Sequence, residues 1–156
     1  YSNPGSGEFN DYFQELGGDL YFSATDETAG RELWKTDGTD TVLAFDIVPG
    51  PTGSDPAAGG YTELDGYLYF TTREIIDSKF NVWRNELWRM NGIKTEFVRN
   101  LRETFSVVEL VAFDGFIYFM EFEEETAWGL WRTDGTDSYL VAAINPDGFA
   151  RISSFT

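Results

Sequence analysis

The chain has 156 residues with 42% hydrophobic and 17% aromatic content, enough apolar material for a packed core and too much for a disordered segment. Asp and Glu number 27 against 11 Lys and Arg, and the net charge of −16 repels nucleic-acid backbones and anionic lipid surfaces. There is no Cys and no His, which excludes disulfides, thiolate zinc sites, Cys nucleophiles and the commonest general base, and no apolar run is long enough for a membrane-inserting helix.

Taken in chain order, the first elements are short strands bounded by Gly, Asn and Asp. Phe9–Leu16, Asp19–Thr25, Arg31–Thr36 and Thr41–Ile47 are rich in aromatic and β-branched residues, which fit a pleated, half-buried surface. The motif Leu20-Tyr21-Phe22 returns as Leu68-Tyr69-Phe70 and Ile117-Tyr118-Phe119, about every 48 residues, and such a period signals a repeat architecture. A turn pair precedes each copy: Gly17-Gly18, Asp65-Gly66 and Asp114-Gly115. Downstream, Glu32-Leu33-Trp34, Glu86-Leu87-Trp88 and Gly129-Leu130-Trp131 are each followed by Asp37-Gly38, Asn91-Gly92 or Asp134-Gly135. Asp-Gly and Asn-Gly favour type I′ hairpin turns, so these pairs too predict tight hairpins.

The units run over about 1–47, 48–100 and 101–144, with a partial unit at 145–156. Asn145-Pro146-Asp147-Gly148 opens that last unit, and Phe149–Thr156 reads as a first strand, so the parent polypeptide is expected to continue beyond both ends. No helix is predicted. The second unit departs from the pattern by an insertion, Arg73–Asn85, in the connection that is a short polar loop at Asp26–Gly30 in the first.

The strings Gly30-Arg31-Glu32-Leu33-Trp34-Lys35-Thr36-Asp37-Gly38-Thr39 and Asp46-Ile47-Val48-Pro49-Gly50, with their weaker copies around Trp88 and Trp131, resemble the ELWxxDGT repeat family. That resemblance implies tandem β-propeller blades in secreted or cell-surface bacterial proteins, and it implies no reaction. In this sequence Asp40-Thr41 enters the next strand at once, without the family's longer link. The fold expected is therefore all-β, with three four-stranded antiparallel propeller blades plus the first strand of a fourth. The alternative is a β-trefoil, which also has three units of four strands and would close within a chain of this length.

Candidate functional residues divide by chemistry. Trp34, Trp88 and Trp131, with Gly38, Gly92 and Gly135, are the repeat signature; a tryptophan that recurs once per unit reads as packing between neighbouring sheets, in preference to a sugar platform. Asp37, Asp40, Asp134 and Asp137 lie in two Asp-Gly-Thr-Asp turns and are the calcium candidates, although a hairpin turn alone accounts for Asp before Gly. Glu121, Glu123, Glu124 and Glu125 read as a solvated run and not as a glycosidase pair. Arg73, Ile75, Ile76, Phe80, Trp83 and Arg84 of the insertion form a possible partner-binding loop, or a flap over part of the core.

No catalytic residue and no cofactor other than calcium is assigned. The function expected is a non-catalytic extracellular scaffold or adhesion module for protein or glycan. Alternatives are a structural segment that self-assembles through open blade faces, or part of a hydrolase whose active site lies elsewhere. The partners expected at the open faces are further repeats of the same chain or another protein chain.

Overall fold

A computed structural model describes residues 13–57, 60–101, 109–123 and 127–144. The expected strand at 149–156 and the start of the first strand lie outside the described residues, as do Glu124 and Glu125. Among the described residues there are twelve strands and no helix.

The first sheet comprises β1 (Gln14–Leu16), β2 (Asp19–Asp26), β3 (Gly30–Thr36) and β4 (Thr41–Phe45). The second holds β5 (Tyr61–Leu64), β6 (Tyr67–Asp77), β7 (Val82–Met90) and β8 (Thr95–Leu101). β9 (Val111–Phe113), β10 (Phe116–Glu123), β11 (Ala127–Thr133) and β12 (Ser138–Ile144) form the third. Each sheet is an antiparallel meander paired in chain order and separate from the other two. A β-trefoil is ruled out by that separation, because its units contribute hairpins to one shared barrel.

Turn chemistry sets the first hairpin of every unit. Asp65 and Gly66 sit at φ of 52° and 77°, and Asp114 and Gly115 at 49° and 75°, the pair of positive angles that a type I′ turn requires. The second hairpins correct the expectation of type I′ turns there. Asp37 to Asp40 form a four-residue loop between the paired residues Thr36 and Thr41, and of its residues Gly38 alone has positive φ. Asp37 Oδ1 accepts the N–H groups of Thr39 and Asp40, both at 2.8 Å. Asp134 repeats the arrangement with Thr136 and Asp137, and Asn91 with Ile93 and Lys94. A side-chain carbonyl oxygen suffices for this cap, which explains why Asn replaces Asp in the second unit.

A bulge also recurs in every sheet. The register slips between Leu33 and Trp34, between Leu87 and Trp88, and between Leu130 and Trp131, each time against the outermost strand.

Strand alternation assigns the repeated motif to two faces. In β6, Leu68 and Phe70 join Tyr21, Leu33, Ala57 and Met90 in a core between the first and second sheets. Tyr69, one residue out of phase, joins Leu87, Leu101, Leu110, Ile117 and Phe119 in a second core toward the third sheet. Two interfaces thus follow one rule: the Tyr and Leu of one unit pack on the flanking pair, Leu or Ile with Phe, of the next. Trp88 and Trp131 are half-buried at these interfaces. Trp34 lies on the same face as Phe22, its cross-strand partner, which is the outer face of the first sheet.

Candidate functional site

Because consecutive strands alternate in direction, the hairpin ends β2–β3, β6–β7 and β10–β11 lie at the same end as the linker from β4 to β5. The inserted segment belongs to this end, and its structure departs from the expected loop. β6 and β7 continue as a paired ribbon, with Arg73 opposite Asn85, Glu74 opposite Arg84 and Ile75 opposite Trp83. Ile75, Ile76, Val82 and Trp83 are good strand formers, so pairing beyond the sheet gives their backbone groups the partners that a loop would leave to water.

The ribbon is held by side chains along its length. Arg84 pairs with Glu74 at 2.8 Å, and the Arg73 guanidinium lies 4.0 Å from the centre of the Trp83 ring. Trp83 Nε1 donates to Asn81 Oδ1 at 3.0 Å. At the tip, Asp77 Oδ1 accepts the N–H groups of Lys79 and Phe80. Ile76 and Phe80 remain 50% and 69% exposed. Of the six residues picked from the insertion, the ribbon therefore brings Arg73 onto Trp83, ties Arg84 to Glu74 and presents Ile76 and Phe80 outward.

Beside the ribbon the linker wedges between the first two sheets. Ser54 and Asp55 donate their N–H groups to the carbonyl of Arg31 at 3.1 and 3.0 Å, and Arg73 N–H donates to the Ser54 carbonyl at 2.8 Å. Ala57 N–H donates to Thr71 at 2.7 Å, and Ser23 Oγ to the Pro56 carbonyl at 2.6 Å. Gly53 and the first residue of β3, Gly30, cross so closely that a Cβ on Gly30 would fall 2.6 Å from the Gly53 nitrogen.

Two carboxyl groups are trapped by this wedge. Glu32 is fully buried; it accepts Val48 N–H at 2.9 Å and the Ser54 hydroxyl at 2.6 Å. Burial outweighs those bonds and pushes its carboxyl above the ordinary value. Asp55 is pushed up by burial as well, although Arg31 pairs with it at 2.9 Å and the Arg73 charge also opposes the rise. Sequence reasoning missed Arg31, Asp55, Ser54 and Glu32 as a group, since only the crossing of the linker unites them. The recurrence of Glu32 as Glu86 was the available signal.

The other candidates fall elsewhere. Asp37, Asp40, Asp134 and Asp137 stay in two separate turns on different sheets, at the end away from the ribbon. Among the described residues, no group of three or more Asp or Glu gathers in a geometry able to hold a metal. Glu121 corrects the reading of a solvated run: it is 1% exposed and accepts from Arg99 of the second sheet at 2.7 Å. The Arg99 guanidinium lies in turn 4.4 Å from the centre of the Trp131 ring. The site thus offers recognition chemistry, namely a guanidinium–indole stack, an exposed apolar tip and fixed charges.

No family model matches the sequence, and neither does any curated protein. Among solved structures, the chain is similar to a neuraminidase-like protein from A/bat/Guatemala/164/2009, with a TM-score of 0.50 and 13% identity over 84% of this chain. The chain spans 37% of the length of that protein. The likeness concerns the fold alone and supports a propeller-like arrangement of the three sheets.

Proposed function

We propose that this chain is a non-catalytic propeller module of the cell exterior, a scaffold whose long β6–β7 ribbon recognises protein or glycan. One observation carries the reading. The ribbon is the element that breaks an otherwise regular repeat, and it holds Ile76 and Phe80 in water on a paired, cross-braced stem. A binding element on a rigid support loses little conformational entropy on engaging its target. The resemblance of the repeats to ELWxxDGT units supports the scaffold role and the cell-exterior setting.

The ribbon also carries Arg73, Lys79 and Arg84, three of the 11 basic residues of a chain whose net charge is −16. A target with an acidic group beside an apolar or ring-bearing surface suits that combination. The test is a glycan and peptide array probed with the wild-type chain and with Phe80→Ser and Trp83→Ala variants. The expected result is a set of acidic targets whose signal falls at least tenfold in both variants at unchanged melting temperature. Targets that ignore both substitutions, or turnover of any arrayed glycan, would overturn the reading.

A further inference from the structure

The two observed interfaces between sheets show what an outer face of this molecule is built to meet. At each, a tyrosine hydroxyl of one unit reaches the turn glycine of the next. Tyr21 closes on Gly92, where an added Cβ would lie 3.1 Å from the hydroxyl. Tyr69 closes on Gly135, where a Cβ would overlap both that hydroxyl and the Arg89 guanidinium. A basic residue stands across the strand from each tyrosine: Lys35 beside Tyr21, Arg89 beside Tyr69. At the second interface this cation faces an acidic turn, since the Arg89 charge helps to hold the Asp134 carboxyl below its ordinary value, after the N–H groups of Asp137 and Thr136.

Among the described residues the series is unfinished at both ends. Tyr118, with Arg132 opposite it, presents the same pair on the outer face of the third sheet, flanked by exposed Val111 and Phe113. Gly38 has open space where its counterparts carry a tyrosine, and Asp37 occupies the place of Asp134. Leu20 and Phe22 on that outer face of the first sheet correspond to Leu68 and Phe70, and to Ile117 and Phe119, all four of which are buried. The outer face of the third sheet therefore complements the outer face of the first in apolarity, in charge and in the open space at the Gly38 turn.

We infer that a second copy of this chain docks head to tail, with Tyr118 of one copy on the Gly38 turn of the other and Arg132 facing Asp37. The inference shares the propeller scaffold with the function proposed above but not its ribbon. A head-to-tail contact closes into a ring or extends into a filament. The described residues of two copies bring six sheets, inside the range of about 4–8 blades at which radial arrays close, so a closed dimer is the expected product.

Sedimentation velocity on the chain at 10–100 µM is expected to give about twice 17.7 kDa. Leu20→Glu blocks the head face and Phe113→Glu the tail face; both positions are exposed, so each variant keeps its circular dichroism and melting profile. Each alone is expected to be monomeric, with self-association weakened at least tenfold. An equimolar mixture recovers a dimer, because one unblocked head meets one unblocked tail. A monomeric wild-type chain overturns the inference and leaves the faces to a different partner. An oligomer indifferent to both variants, or a mixture without recovery, overturns it too. Array binding by the Leu20→Glu and Phe113→Glu variants is expected to match wild type, so loss of ribbon binding with an intact dimer counts against the proposed function alone.

Discussion

The hydroxyl of Tyr69 lies 3.4 Å from the carbonyl oxygen of Asp134, across the gap between the second and third sheets. The tyrosine of the Leu-Tyr-Phe motif and the turn that follows each Leu-Trp pair are thus halves of one contact, supplied by consecutive units. Each copy is incomplete until the next is in place, which is why the two motifs recur together.

A graded series of substitutions measures that contact. Gly38, Gly92 and Gly135 occupy the same turn position at φ of 92°, 85° and 90°, so alanine costs each a similar backbone penalty of about 1–2 kcal/mol. Their surroundings differ: open space at Gly38, the Tyr21 hydroxyl at Gly92, and the Tyr69 hydroxyl with the Arg89 guanidinium at Gly135. In dilute solution, urea unfolding is expected to rank the losses Gly38→Ala, then Gly92→Ala, then Gly135→Ala, the last exceeding the first by about 2 kcal/mol of overpacking. Equal losses at the three positions would remove the interface role of the turn.

The turn aspartates give a second, independent forecast. Asp134 is occupied by the N–H groups of Thr136 and Asp137, a role that Asn91 fills in the second unit. Asp134→Asn is expected to be nearly neutral and Asp134→Ala to cost about 1 kcal/mol, the usual value of a lost local cap. Millimolar calcium should shift the melting temperature of the wild type and of an Asp37→Asn, Asp134→Asn double variant equally. A calcium-dependent rise confined to the wild type would instead make these carboxylates ligands.

The buried pair between sheets invites a double-mutant cycle. Glu121 is almost fully buried and accepts from Arg99, whose side chain is half-buried against Trp131. Glu121→Leu alone strands a guanidinium at an interface and is expected to cost about 3 kcal/mol, at the lower end for breaking such a pair because Arg99 keeps some water. Adding Arg99→Met removes the stranded charge and keeps an apolar stem on the indole, so the double variant should recover most of the loss. If the two changes prove additive in urea titrations, the pair is not coupled.

Much of this architecture was legible in the residues. Leu20-Tyr21-Phe22 and its copies announce strands because hydrophobic aromatic residues alternate between Gly- and Asp-bearing turns, and alternation alone assigns Tyr21 and Phe22 to opposite faces. Which face meets which neighbour was not legible, since it depends on how sheets stack. The ribbon is less legible, because the basic and polar residues between Ile75, Ile76, Val82 and Trp83 mask the strand signal that these four carry. The burial of Glu121 is hidden for another reason: a run of acidic residues looks solvated until one member is placed across from Arg99. The wedge of Ser54 and Asp55 has no local signature, because its partners Glu32, Arg31 and Arg73 lie on other strands.

Glu32 yields a pH dependence of definite sign. Its folded carboxyl titrates above the ordinary value of 4.5 because burial disfavours the charge, against the bonds from Ser54 and Val48. The folded state therefore holds this proton more tightly than the unfolded chain does. Its contribution to stability is greatest below pH 4.5 and declines as pH rises through the folded value, at up to about 1.4 kcal/mol per pH unit. Asp55, also raised by burial, adds a slope of the same sign, whereas the capped Asp37 and Asp134, held low by their turn N–H groups, act in the opposite sense at lower pH. Glu32→Gln removes one of these slopes and leaves the rest, and its amide oxygen still accepts from Val48. Urea midpoints measured from pH 4 to 8 are therefore expected to show the variant gaining on the wild type as pH rises; parallel curves would mean that Glu32 keeps its ordinary affinity for the proton within the wedge.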